Sequence, residues 1–131
     1  DQVGWDWLAL QLDDGRELML YRLRRRDGSA DPASRATLIL ADGANRAIPT
    51  SSLRLAETAT WTSPASVARY PSRWHLEIPA ERLSLDVRPL LADQELRLSF
   101  RYWEGTVEVA GRANGRPIAG HGYVEMTGYA R

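Results

Sequence analysis

An all-β fold, an antiparallel meander barrel of about 8–10 strands, is what this 131-residue sequence predicts. Three observations carry that expectation. Apolar residues recur with a period of two along most of the chain, and no extended stretch holds the period of about 3.6 that marks a helix. Turn signals punctuate the chain at short intervals: Asp13-Asp14-Gly15, Asp27-Gly28, Asp42-Gly43 and Asn114-Gly115. Nearly every junction is therefore tight, which favours a meandering barrel over a Greek-key sandwich with its long crossovers.

The first hairpin lies in "GWDWLALQLDDGRELMLYRL", residues 4 to 23. Trp5, Trp7 and Ala9 fall on one face and Asp6, Leu8, Leu10 and Leu12 on the other; the turn then returns the chain through Arg16 to Arg26. Either the tryptophans look inward as the lip of a site, or the leucines do as plain core. Ser29 to Ser34, with Pro32, reads as a polar loop, Arg35 to Ala41 as a strand, and Ala44–Ile48 with Ser52–Ala59 as a further strand pair. Trp61, Pro64, Tyr70 and Pro71 sit among small polar residues and suggest a long crossing connection over 61–72. Alternation resumes at Trp74, Leu76 and Ile78, again at Leu83, Leu85 and Val87, and at Leu96, Leu98 and Phe100, each expected to bury one face. Gly105–Arg112 and Pro117–Tyr129 close the chain across Asn114-Gly115. On the last strand His121, Tyr123, Glu125, Thr127 and Tyr129 share one face and Gly120, Gly122, Val124, Met126 and Gly128 the other, and alternation alone leaves open which looks inward.

Charge and composition exclude several functions. Lys plus Arg and Asp plus Glu both number 17, so no net field recruits nucleic acid, and no nucleic-acid partner is expected. There is no cysteine, hence no thiol nucleophile, disulfide or cysteine-based zinc site. His75 and His121 are too few and too far apart for a metal site, and no metal or cofactor is expected. No G-x-S-x-G, H-E-x-x-H, phosphate-cradling or dinucleotide motif occurs. No apolar run reaches the roughly 18 residues that span a bilayer as a helix.

Acid and aromatic chemistry remains. Asp6 lies between Trp5 and Trp7, and Glu104 follows Tyr102 and Trp103. A carboxyl against aromatic surface has its charged form disfavoured and can act as a general acid near neutral pH, while ring faces stabilise a cation. Asp6, Glu104 and His121 are the catalytic candidates; Trp5, Trp7, Tyr21, Trp103, Tyr123 and Glu125 are candidates to line an apolar ligand. A carbohydrate site is a minor reading that requires Trp61 and Trp74 to be exposed and coplanar.

"GWDWLALQLDDGRELMLYRLR", "YWEGTVEVAG" and "GRPIAGHGYVEMTGYA" together resemble the carboxy-terminal lipocalin-like domain of the AttH-like and carotenoid 1,2-hydratase family, over nearly the whole chain. The resemblance implies one lipocalin-like barrel over 1–131, the second half of a two-domain parent whose first half is a homologous barrel. It also implies a secreted, periplasmic or membrane-associated setting. Members include enzymes that hydrate or rearrange double bonds of hydrophobic molecules, with a carboxylic acid as proton donor. The positions matching the shared pattern are Trp5, Asp6, Trp7, Tyr102, Trp103, Glu104, Gly105, Gly122, Tyr123, Glu125, Gly128 and Tyr129. Two expectations follow: a wall of an apolar pocket for a hydrophobic small molecule, shared with the first domain, or a non-catalytic domain that packs against and stabilises it.

Overall fold

The computed structural model describes residues 1–130. Ten strands follow one another: β1 (Gln2–Leu12), β2 (Glu17–Arg25), β3 (Arg35–Ile39), β4 (Asn45–Ile48), β5 (Arg54–Thr62), β6 (Arg69–Ile78), β7 (Leu83–Pro89), β8 (Glu95–Arg97), β9 (Arg101–Ala113) and β10 (Arg116–Met126). The only helical pieces among the described residues are 3-10 turns at Thr50–Ser52 and Pro79–Glu81. All pairings are antiparallel, in the order β4-β3-β2-β1-β10-β9-β7-β6-β5, with β8 on β9. The expected all-β meander is therefore present, curled into a half-barrel.

Closure is not made by a ladder. The edge strands β4 and β5 do not pair with each other, so the expected pair 44–48 with 52–59 is replaced by β3–β4 and β5–β6 hairpins. The 3-10 turn at Thr50–Ser52 carries the chain across the gap. Side chains bridge it: Arg22 of β2 reaches Glu57 of β5 at 3.1 Å, and Arg46 of β4 reaches Glu81 at 2.6 Å.

Residues 61–72 also differ from expectation. They are the ends of a hairpin, with Trp61 opposite Tyr70, joined by the loop at 63–68. Pro71 is tolerated because β7 pairs with β6 only from Trp74 onward, leaving Pro71 on an open edge where no ladder donor is needed. The loop is fixed by Glu95, whose buried carboxylate accepts from Ser63 Oγ (2.7 Å), Ser66 Oγ (2.5 Å), Tyr70 OH (2.7 Å) and Arg97 Nε (3.1 Å). Burial alone would raise that carboxyl; the three hydroxyls and the guanidinium outweigh it and hold it below the usual range. Because Glu95 rather than its neighbours turns inward, the 96–100 stretch buries no apolar face: Leu98 and Phe100 are exposed.

The interior is filled. Leu8, Leu10, Leu18, Leu38, Tyr70, Trp74, Leu76, Ile78, Leu85, Val87, Trp103, Val124 and Met126 are all essentially inaccessible. On the last strand Val124 and Met126 face inward and His121, Tyr123 and Glu125 outward. Gly122 lets β10 lie close on β1: a Cβ there would meet the Ala9 carbonyl oxygen at 2.2 Å. Buried Trp74 excludes the carbohydrate reading, as does Trp61, which stacks on Tyr70.

Asp6 decides which way β1 faces. Its carboxylate is fully buried and accepts from Arg22 (2.9 Å), Arg24 (2.6 Å) and the Tyr129 hydroxyl (2.8 Å). Arg24 also lies over the Tyr129 ring, 3.9 Å from its centroid, and donates to the Thr127 carbonyl. With Asp6 turned in, Leu8, Leu10 and Leu12 are core, and Trp5 and Trp7 stand on the outer surface. Replacing Asp6 by alanine strands two guanidiniums in the interior and is expected to cost about 3–5 kcal/mol, read as a lowered denaturant midpoint. Tyr129→Phe, which removes one donor to a charged acceptor, is expected to cost about 1.5–3 kcal/mol.

Candidate functional site

The outer face of β2-β1-β10-β9 collects most of the residues singled out from sequence. Register places Tyr21 beside Trp7, Trp7 beside Glu125, and Glu125 beside Glu104, one row across four strands. The next row holds Met19, Ala9, Tyr123 and Thr106. Trp5, at 41% exposure, stands beyond Trp7 on the same face, next to a groove of about 370 Å³ formed with Val3, Phe100 and Gly128. Tyr102 joins from β9 and stacks on Phe100 with centroids 5.0 Å apart. Trp5, Met19, Tyr123, Leu98 and Phe100 are all at least two-fifths exposed, an extended aromatic surface on an otherwise ordinary sheet.

The carboxyl pair is its chemical centre. Partial burial among the rings raises the Glu104 carboxyl above its ordinary value, and the facing carboxyl and charge of Glu125 raise it further against a weaker opposing contact from the Tyr123 hydroxyl. Trp5 Nε1 donates to Glu125 Oε1 at 2.7 Å, and an indole N–H can only donate. That contact takes one acceptor oxygen of Glu125 and sets the orientation of its carboxyl beside Glu104. The Tyr102 and Tyr123 hydroxyls are held above the usual phenol range by desolvation and then by the Glu104 charge. The arrangement can hold a proton beside aromatic faces able to stabilise a cation.

The remaining candidates lie elsewhere. Asp6 is inside, locked in its ion cluster; Trp103 is core and donates to the Ala92 carbonyl at 2.8 Å. His121 is on the outer face, between Gln11 and Glu108 in register. Among the described residues no group of three or more His, Asp or Glu side chains is placed to hold a metal ion. Met19 and Tyr102 join the site although neither was among the candidates; the alternation of the first hairpin places Met19 on the face of Tyr21.

A second cluster on β6 and β7 was not anticipated. His75 Nδ1 lies 3.0 Å from Asp86, and Nε2 lies 3.4 Å from Ser84 Oγ, the order of groups in a nucleophile–base–acid triad. Glu77, however, also takes Nε2 at 3.0 Å. Asp86 first and Glu77 second raise the imidazole above its ordinary value, and both ring nitrogens face carboxylate oxygens, so Nε2 is shared between Glu77 and the more distant Ser84 hydroxyl. The imidazole bridges carboxylates of β6 and β7, as an ion pair when it is protonated. Adjacent sequence alternation, His75 and Glu77 against Ser84 and Asp86 in one hairpin, is the signal that could have revealed it.

The AttH-like family profile matches residues 1–129. This chain belongs to the AttH-like family. A protein assigned as AttH from Nitrosomonas europaea has a crystal structure similar to it, with 34% identity and a TM-score of 0.84 over 99% of this chain and 40% of that one. Kievitone hydratase from Nectria haematococca is similar in fold, with a TM-score of 0.80 at 20% identity over 98% of this chain and 40% of that one. The half-barrel is thus lipocalin-like, and the AttH-like chain spans two-fifths of the length of either structure. Among curated proteins no sequence match is found.

Two pH dependences follow. The raised Glu104 favours the native state when protonated; that contribution is complete below the ordinary carboxyl value of about 4.3 and fades as pH rises through the raised value. A carboxyl ¹³C titration is expected to place Glu104 above an ordinary glutamate, and Glu125→Gln to bring it back down. For His75 the stabilisation is complete below about pH 6.5 and is lost as pH rises through the raised value, so His75→Gln should remove that slope from the pH profile of the denaturant midpoint.

Proposed function

We propose that the outer face of β2-β1-β10-β9 is one wall of an apolar site for a hydrophobic small molecule, and that Glu104 is the proton donor for hydration or isomerisation of a double bond. The opposite wall comes from another domain of a longer protein, an amino-terminal lipocalin-like barrel. One observation carries the reading: two carboxyls, Glu104 and Glu125, paired in register and set among Trp5, Trp7, Tyr21, Tyr102 and Tyr123 on a face open to solvent. Family membership and the name of the hydratase of similar fold support it.

In the proposed reaction Glu104 gives its proton to one alkene carbon, and positive charge develops on the other against the ring faces of Trp5 and Trp7. Water then adds to that carbon, and its proton passes to the carboxylate pair, restoring the starting state. Isomerisation differs only in that a carbon-bound proton returns instead. An isolated face is too wet to sustain the cation, which is why a covering domain is needed.

The packed interior favours a second reading, in which the domain only stabilises its neighbour and binds nothing. Assay of the longer protein and of this chain alone on an isoprenoid-like alkene separates the two. The longer protein is expected to turn over substrate, this chain alone to be inactive, and Glu104→Gln in the longer protein to lower kcat by about 10²–10⁴-fold while leaving the fold intact. Unchanged kcat in that variant, or turnover by this chain alone, would overturn the shared site.

A further inference from the structure

The seam of the half-barrel offers a separate binding site. β3 pairs with β2 only from Glu17 to Tyr21; beyond that point Leu23–Arg25 of β2 bond to the 29–34 loop, and the Arg22 side chain spans the gap to Leu55 and Glu57 of β5. Beside Arg22 the gap widens into a cavity of about 300 Å³ walled by Leu20, Leu53, Leu55 and Ala30, with the hydroxyl residues Ser34 and Thr50 and the guanidinium of Arg54 completing it. The volume stands at the lower end of small-molecule sites, roughly 300–1,000 Å³. Leu20 and Arg22 look inward from β2 whereas Tyr21 looks outward, so this cavity and the Glu104 face lie on opposite sides of the sheet.

Two arginines line the cavity and no acidic residue does. Arg54 is largely exposed and pairs with Glu77 at 3.3 Å. Arg22 spends Nε on Asp6 and Nη2 on Asp6 and Glu57, while Nη1 meets only the Leu55 carbonyl at 3.4 Å. A guanidinium carries five N–H donors, so one hydrogen on Nη1 has no protein acceptor. Such a donor beside apolar walls suits a carboxylate, whose hydrogen bonds to arginine are charge-assisted. Asp6 and Glu57 keep Arg22 in place with or without an occupant, so the donor is already oriented.

We propose that this seam cavity binds a short-chain amphiphilic carboxylate, its chain against Leu20, Leu53 and Leu55 and its head on Arg22 Nη1, with Arg54 at the rim. The ligand enters through the unpaired seam between β2 and β5 and not through a barrel mouth. This site does not depend on the proposed chemistry of Glu104, and either can fail while the other stands.

Octanoate is the probe, with 1-octanol as its neutral counterpart, titrated into this chain carrying ¹³C-methyl leucine. Saturable shifts confined to Leu20, Leu53 and Leu55 are expected, with 1-octanol about tenfold weaker. Leu53→Trp, which fills the cavity, should abolish the shifts, and Arg54→Ala should weaken octanoate several-fold without affecting 1-octanol. Should Leu53→Trp fail to fold, Thr50→Trp fills the cavity from the 3-10 turn and serves the same purpose. No saturable shift, shifts centred on Leu98 of the outer aromatic surface, equal affinity for octanoate and octanol, or unchanged binding in the filled variant would each overturn the proposal.

Discussion

The burial of Asp6 between two arginines sets the orientation on which the rest of this molecule depends. A strand has only two faces, and a carboxylate can enter an apolar interior only where its charge and lone pairs are met. Arg22, Arg24 and Tyr129 meet them, from the next strand and from the carboxy-terminal segment. Once Asp6 is inside, period two forces Leu8, Leu10 and Leu12 inside with it and puts Trp5 and Trp7 out. The same cluster ties the two ends of the chain together. Gly128, at φ +81°, turns the segment that carries Tyr129 against Val3 and Gly4, where any side chain would strike backbone.

The outward tryptophans put the aromatic candidates on the outer surface. Lipocalin-like barrels of this strand number are wide enough to hold a ligand, but here the interior is occupied by Trp74, Trp103, Tyr70 and 19 aliphatic side chains. What a barrel would ordinarily hide, an aromatic lining with a carboxyl at its centre, lies on the convex surface. An exposed surface of this kind is costly for a solitary domain and reasonable for one that meets another. The 40% coverage of the longer AttH structure accords with that arrangement.

Arg22 links the two sides of the sheet. It neutralises Asp6 within, holds Glu57 across the seam, and closes by a guanidinium what β4 and β5 leave open. β4 has four residues against nine in β5, and the two stand unpaired at the ends of the sheet. The seam cavity is the space left by that shortfall.

Much of the fold was legible in the sequence because it rests on local physics. Alternation named the strands and their faces, and Asp-Gly and Asn-Gly named the turns, since only residues tolerant of positive φ close such hairpins; Gly15, Gly28, Gly43, Asn114 and Gly115 all adopt it. The aromatic and acidic members of the candidate site were also visible as residue types, and alternation put Trp5 and Trp7 on one face, as it did Tyr123 and Glu125. What period two cannot supply is the sign of a face. That required knowing that Arg22 and Arg24 stand opposite Asp6, a long-range pairing. Nor could local pattern show which of Trp103 and Glu104, necessarily on opposite faces, is the one in the core, or that Ser63, Ser66 and Tyr70 would make Glu95 a buried anchor in place of Leu98 and Phe100. The sequence by itself determined the strands, the turns and the chemistry available; the tertiary structure alone decided which of those groups meet, because charge compensation and strand adjacency are properties of residues distant along the chain.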